Sequence, residues 1–72
     1  MSNKPNSETI RYADSICSVS IAQGINIAHM EEDCGYSRGY LSRCKKGSKK
    51  LSIDAIKAFG EYVGIDFIER LG

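Results

Sequence analysis

Six basic side chains lie close together in the middle of the chain and are suited to binding a nucleic acid. Of the ten Lys and Arg residues, six fall between Arg38 and Lys50, and no Asp or Glu lies between Asp33 and Asp54. Arginine presents a planar fork of donors that pairs with guanine, whereas lysine binds phosphate as a compact point charge. The net charge of +1 says little about partners, so this local concentration of charge carries the argument.

We predict base contacts from the start of this segment and phosphate contacts from its end. The predicted base-reading residues are Arg38, Ser42 and Arg43. The predicted phosphate contacts are the side chains of Lys45, Lys46, Lys49 and Lys50 and the backbone N–H groups of Asn26 and Ser37 at helix N-termini. The alternatives are surface ion pairs for the two arginines, ordinary helix surface for Ser42 and a solvated loop for the lysines.

The spacing of apolar residues predicts an all-α protein with five helices. A single domain is expected over residues 7–72, preceded by a disordered tail at 1–6. Ser7 is the predicted cap of the first helix and Gly24 its stop. One face of this helix carries an apolar stripe made of Ile10, Ala13, Ile16, Cys17, Ser20 and Ile21. No alternating pattern of four or more residues occurs, so we predict no strand.

Residues 26–47 have the pattern of two helices joined by a tight turn. Asn26 is suited to cap the first of them, and Gly35 can adopt the left-handed backbone conformation that the turn requires. We expect Ser37 to cap the second helix, which runs to Lys46 and stops at Gly47. Its predicted inward residues are Tyr40, Leu41 and Cys44. In a helix-turn-helix DNA-binding protein the second helix enters the major groove.

Two further helices are predicted after the basic loop. Ser52 caps the fourth helix, and Gly64 ends it. Its predicted inward residues are Ile53, Ile56, Phe59 and Val63. Asp66 caps a short last helix over Phe67–Leu71. Its apolar residues Phe67, Ile68 and Leu71 are expected to form either core or an interface with another chain.

Several of these residues, taken together, carry a resemblance to a known family. They are Gly24-Ile25-Asn26, Gly35-Tyr36-Ser37-Arg38, Leu41-Ser42-Arg43, Gly47, Ser52-Ile53-Asp54-Ala55-Ile56 and Val63-Gly64-Ile65. From about Ile16 to Ile68 the chain resembles the Cro/CI-type (Xre-like) helix-turn-helix family of phage and bacterial regulators. The resemblance implies a compact five-helix domain that binds operator DNA, usually as a dimer. It also implies a transcriptional regulator, such as that of a phage or prophage lysis-lysogeny switch.

Three positions depart from the usual pattern of that family and favour a second hypothesis. The family usually has Gln where Ile27 stands and Ala where Glu31 stands, and Gly39 offers no side chain to a base. Together with the acidic run 31–33, these departures suit a protein-binding modulator, an anti-repressor or co-repressor that complexes a partner repressor. Its acidic surface, at Glu31 and Glu32, would face a basic partner. An antitoxin is a further alternative.

The remaining reactive residues do not form a recognisable catalytic or metal site. Cys17, Cys34 and Cys44 are odd in number and contain no C-x-x-C pair, so we predict reduced, mostly buried thiols. His29 has no second ligand pair near it. We therefore expect no enzyme activity, metal, cofactor or small-molecule ligand. Reduced thiols and the lack of a secretion signal or membrane-length apolar run predict a location in the bacterial cytoplasm, without a membrane partner.

Overall fold

The computed structural model describes residues 7–71, which form five α-helices. They are α1 (Ser7–Ala22), α2 (Ile27–Asp33), α3 (Tyr40–Lys45), α4 (Ile53–Val63) and α5 (Phe67–Leu71). No strand occurs in this range, so the all-α prediction is confirmed. The predicted tail at 1–6 lies outside the described residues, as does the side chain of Leu71.

The first four helices end in the same way. Each is followed by a glycine with a positive φ, at Gly24 (75°), Gly35 (88°), Gly47 (81°) and Gly64 (80°). The amide of the next residue donates to the carbonyl five positions earlier, from Ile25 to Ser20, Tyr36 to Glu31, Ser48 to Arg43 and Ile65 to Gly60. Such bonds satisfy carbonyls that would otherwise lack a partner at the helix end. The predicted stops and the predicted turn glycine are therefore confirmed.

Three of the predicted N-terminal caps are also present. In each, a side-chain oxygen accepts the backbone N–H three residues later at 3.0–3.1 Å: Asn26 from His29, Ser52 from Ala55 and Asp66 from Glu69. These bonds satisfy one free donor at the start of α2, α4 and α5. At α1 the expected cap, Ser7, is the first described residue and is already helical; its side chain lies outside the described part of the structure.

The core lies around α1, which contacts each of the other four helices. Its buried hydrophobic residues are Ala13, Ile16, Cys17, Met30, Tyr40, Leu41, Cys44, Leu51, Ala55, Ile56, Phe59, Val63 and Phe67. Loop residues tie the helices together as well. The backbone N–H of Leu51 donates to the hydroxyl of Thr9 on α1, and the side-chain amide of Gln23 donates to the last carbonyl of α4, at Val63. The first bond attaches the segment after α3 to α1, and the second attaches the end of α4 to the loop after α1.

Three isoleucines that the pattern placed in the core are exposed. Ile53 is 58% exposed, Ile21 66% and Ile10 39%. At 3.6 residues per turn, each lies roughly a quarter of a turn from the centre of the buried face of its helix. Ile53 is also the first residue of α4, where no neighbouring turn covers it. The prediction that Ile53 points inward was wrong, and the buried face of α1 leaves out Ile10 and Ile21 of its apolar stripe. A helix here buries a narrower stripe than the apolar spacing suggested.

The cysteines are free thiols, and Cys17 and Cys44 are buried while Cys34 is half-buried. This agrees with the prediction of reduced, mostly buried thiols. Burial raises the pKa of all three thiols above the ordinary value of 9.0, so they stay protonated near neutral pH. None of the helices within residues 7–71 has the length and apolarity needed to cross a membrane.

Candidate nucleic-acid interface

The helix predicted to read DNA begins later than its sequence pattern indicated. α3 starts at Tyr40, and Lys46 is its C-cap. The prediction that Ser37 caps this helix was wrong, because Ser37 lies three residues before its start. The residue at the N-cap is Gly39, whose φ of 85° places it in the left-handed region and which provides no side-chain cap. Gly39 and Arg38 thus belong to the turn before α3 and not to the helix itself.

The cap that Gly39 lacks comes from Glu31 on α2. One oxygen of its carboxylate, Oε1, accepts the N–H of Gly39 at 2.9 Å, and Oε2 accepts the N–H of Leu41 at 2.7 Å. The Glu31 residue is only 1% exposed. Two charge-assisted hydrogen bonds and the positive end of a helix offset the cost of burying its charge. They also occupy the amides of Gly39 and Leu41 at the start of α3. The predicted phosphate contact of the Ser37 N–H, which lies before that start, stays a prediction.

The other two carboxylates of the acidic run are also paired within the protein. Glu32 forms an ion pair of 2.9 Å with the guanidinium of Arg38, and both side chains remain exposed. Asp33 accepts a hydrogen bond of 2.9 Å from the hydroxyl of Tyr62 on α4. Carboxylates at the end of α2 oppose the helix dipole. Here they connect α2 to α3, to the turn and to α4, which accounts for their position.

The inner face of α3 is fixed by an aromatic cluster. The ring of Tyr40 stacks on that of Tyr36, with the two ring centroids 4.6 Å apart. The ring of Tyr36 also packs against that of Phe59 on α4, with the centroids 5.4 Å apart. The hydroxyl of Tyr40 accepts the N–H of Ser52 at 3.5 Å, and burial raises its pKa. Tyr40 is 5% exposed and Leu41 0%, so the prediction that the inward residues of this helix belong to the core is confirmed.

The outer face of α3 and its C-cap consist of Ser42, Arg43, Lys45 and Lys46, all exposed. Arg43 donates through Nη2 to the hydroxyl of Ser37 at 3.0 Å. Lys45 lies 3.9 Å from the carboxylate of Asp14 on α1, an exposed and therefore weak ion pair. Because Arg38 lies in the turn, only Ser42 and Arg43 of the three predicted base-reading residues are on the helix. Whether they contact bases stays a prediction.

The loop after α3 adds two more lysines to this side of the protein. The ammonium of Lys49 lies over the ring of Tyr40, 5.7 Å from its centroid, within cation–π range. Lys50 is exposed. No ion pair joins Lys46, Lys49 or Lys50 to a carboxylate of residues 7–71. Positive charge therefore continues beyond the end of α3.

A groove of about 550 Å³ runs beside α3. Ile21, Ile27 and Ala28 from α1 and α2 line one part of it, and Ser42 and Lys46 line another. Asn26 immediately precedes Ile27 in the chain and is the N-cap of α2. The groove beside α3 is thus apolar where Ile27 lines it and basic where Lys46 lines it.

The residues predicted for a partner interface are mostly unavailable for that role. Glu31 and Phe67 are each 1% exposed. The carboxylate is buried against α3, so its predicted place on a partner surface was wrong. The ring is buried in the core, which is one of the two alternatives expected for it. Glu32 is exposed but paired with Arg38. Ile68 is half-buried. Leu71 has no described side chain and stays a prediction.

No protein-family model, curated protein or solved structure matches this chain. Support for a function therefore comes from its own residues and their geometry. Two features of the site were not predicted from sequence: the cap that Glu31 supplies to α3, and the bond between Asp33 and Tyr62. The only signal for the first was a Glu at a position where the resemblance leads one to expect Ala.

Proposed function

We propose that this protein is a DNA-binding transcriptional regulator of the Cro/CI (Xre-like) type, which reads operator DNA with α3. The observation that carries the proposal is the composition of the exposed face of α3. That face presents Ser42, Arg43 and Lys45, with Lys46 at the C-cap, and no carboxylate. An α-helix with its side chains is about 10–12 Å in diameter and fits a major groove about 12 Å wide.

The rigidity of α3 supports the same proposal. Leu41 and Cys44 are fully buried behind the exposed face, and Glu31 holds the first turn. Base recognition needs side chains whose backbone is already in place, because each contact formed must offset the loss of conformational freedom. Arg43 is also partly oriented by Ser37, and one guanidinium donor spent on that bond leaves the others for a base.

Phosphate contacts are assigned to the lysines around the C-terminal end of α3. Lys46, Lys49 and Lys50 have no carboxylate partner among the described residues and extend the basic surface along the chain. A further phosphate contact is assigned to Asn26 at the N-terminus of α2. Its side chain accepts the N–H of His29, and the N–H groups of Ile27 and Ala28 come before that one in the helix. These contacts would supply affinity without sequence preference.

The acidic run 31–33 gives the modulator hypothesis less support than its sequence suggested. Beside Ile27 and Gly39, that hypothesis drew on an acidic surface at Glu31 and Glu32 that would face a basic partner. Glu31 is buried against α3, Glu32 is paired with Arg38, and Asp33 is bonded to Tyr62. One of the three carboxylates is buried, and the two exposed ones each have a partner within the chain, so direct DNA binding is the better-supported function.

The test is selection of bound duplexes from a randomised 24-base-pair library, followed by anisotropy titration of the selected duplex and of the unselected pool. We expect the selected duplex to bind with a dissociation constant of roughly 10⁻⁸ M near physiological salt. Sedimentation of the complex gives the number of copies bound, which for a dimer on two half-sites is two. Equal affinity for the selected duplex and the pool would contradict the proposal, as would no binding at all.

A further inference from the structure

We infer that Glu31 is a positioning residue for DNA recognition, whose buried carboxylate fixes the orientation of α3 and so determines sequence specificity more than affinity. This inference rests on the proposed function of α3. Glu31 is 1% exposed and both of its carboxylate oxygens are bonded to backbone N–H groups, so it acts through the backbone of the helix and not by touching a base.

The geometry of the carboxylate is suited to this role. Its two oxygens accept hydrogen bonds from two different residues, the N-cap Gly39 at 2.9 Å and Leu41 in the first turn of α3 at 2.7 Å. A single hydrogen bond leaves a helix free to turn about the bond, whereas two bonds to residues on either side of Tyr40 restrict both its tilt and its rotation. Leu41 immediately precedes the exposed residues Ser42 and Arg43 in α3. A displacement of its backbone therefore also displaces these two residues.

The short length of α3 makes this constraint necessary. Helices of this length have little stability of their own, because few hydrogen bonds follow the costly first turn. The turn before α3 contributes no side-chain cap, since its N-cap is Gly39. The carboxylate of Glu31 supplies the missing acceptor from a neighbouring helix, and thereby makes the position of α3 dependent on that of α2.

The charge of Glu31 has the opposite effect on affinity. A carboxylate at the start of the DNA-facing helix repels the phosphates of a bound duplex, and its hydrogen bonds occupy amides of the kind that phosphate binds at many helix N-termini. The carboxylate thus lowers non-specific attraction while it orients the helix. Removal of the charge should leave non-specific binding equal or tighter and should weaken the preference for one sequence.

Glu31→Gln is the most informative variant, because it keeps the shape of the side chain and removes its charge. A glutamine amide has one acceptor oxygen and an NH2 group that only donates. Where its oxygen accepts one of the two N–H groups, its NH2 group is turned toward the other. Ser52→Ala is the matched control. It also removes one N-cap bond, but at the start of α4, which has no assigned contact with DNA.

Two measurements test the inference. The first is the ratio of dissociation constants for the unselected duplex pool and the duplex selected by the wild-type protein. We expect Glu31→Gln to lower this ratio at least tenfold with an unchanged salt dependence, and Ser52→Ala to leave it unaltered. The second is amide hydrogen exchange of the free protein, which should accelerate at Gly39 and Leu41 in Glu31→Gln alone. If Glu31→Gln does not fold, Glu31→Asp, which keeps the charge on a shorter side chain, should show both effects in part.

The outcomes separate this inference from the proposed function. A folded Glu31→Gln protein with the wild-type ratio would overturn the positioning role while leaving DNA binding intact. A wild-type protein that selects no sequence would overturn the proposed function. In that case unchanged exchange at Gly39 and Leu41 in Glu31→Gln would also overturn the structural part of the inference, and faster exchange would support it.

Discussion

The guanidinium of Arg43 on α3 donates a hydrogen bond of 3.0 Å to the hydroxyl of Ser37 in the preceding turn. The bond holds the guanidinium beside the turn. An arginine held in this way loses less conformational freedom when it binds, and its planar fork retains donors for the acceptors of a guanine. The turn and the helix therefore cooperate in presenting this side chain.

Replacement of Arg43 should reduce sequence-specific binding. We expect Arg43→Ala to weaken binding to the selected duplex by about 1–3 kcal/mol more than binding to the unselected pool, if the fork pairs with guanine. Arg43→Lys should not restore the preference, because an ammonium cannot form the planar pair. Arg70→Ala on α5 is the control. Equal losses on both duplexes, measured by anisotropy, would mean that Arg43 contacts only phosphate.

Neutralisation of Lys49 and Lys50 should weaken binding to every duplex alike. Each lost phosphate contact should reduce the slope of log K against log salt by about one unit, because fewer counterions are released. Titrations of Lys49→Gln/Lys50→Gln at several salt concentrations measure that slope. Lys57→Gln, at an exposed position of α4, is the control. A slope equal to that of the wild type would show that the loop is only a solvated surface.

Gly39→Ala should destabilise the protein by about 1–2 kcal/mol, because the φ of 85° is unfavourable for a residue with a side chain. The added methyl group would also lie 3.3 Å from Nη1 of Arg43 and push that guanidinium aside. Urea denaturation measures the free energy of unfolding. Gly39→Asn should lose less of this free energy, since asparagine tolerates the left-handed conformation better than alanine. Ser42→Ala, the control, should change the free energy of unfolding little. Equal stability of Gly39→Ala and wild type would contradict the left-handed cap.

Gly60→Ala should also be destabilising, although alanine favours a helix by about 1 kcal/mol over glycine. The new methyl group would lie 2.5 Å from the backbone oxygen of Ile65, where the chain turns back toward α5. The backbone must then shift, and we expect a net loss of about 1–3 kcal/mol in the free energy of unfolding. Glu61→Ala, one residue later and exposed, is the control. A gain in melting temperature for Gly60→Ala would refute this close approach.

Stability should fall as the pH rises above about 8, because burial raises the pKa of the thiols. The unfolded chain loses these protons around the ordinary value of 9.0, while the folded protein still holds them. The stabilisation is thus complete below the unfolded pKa and is lost as the pH approaches the folded one. Urea denaturation between pH 7 and pH 9.5 measures this slope. Cys44→Ala should flatten it, and an identical slope in that variant would argue against the effect at Cys44.

The sequence by itself determined where most helices start and stop. The signals at Gly24, Gly47 and Gly64, and at the caps Asn26 and Ser52, depend on partners no more than five residues away. Such local bonds form in the same way whatever the rest of the chain does. The apolar spacing likewise identified the buried face of α3. It did not identify the limits of the buried stripe, because the exposure of Ile53 depends on which neighbouring helix covers it.

Only the tertiary structure decided how α3 begins. Its cap comes from Glu31, eight and ten residues before the amides that it binds, and no local pattern connects them. The helix therefore starts at Tyr40 and not next to Ser37, and Arg38 lies in the turn before it. The acidic run, which looked like a surface for a partner, is used instead to join α2 to its neighbours. A buried carboxylate needs donors, and here the fold supplies them by bringing the start of α3 against α2.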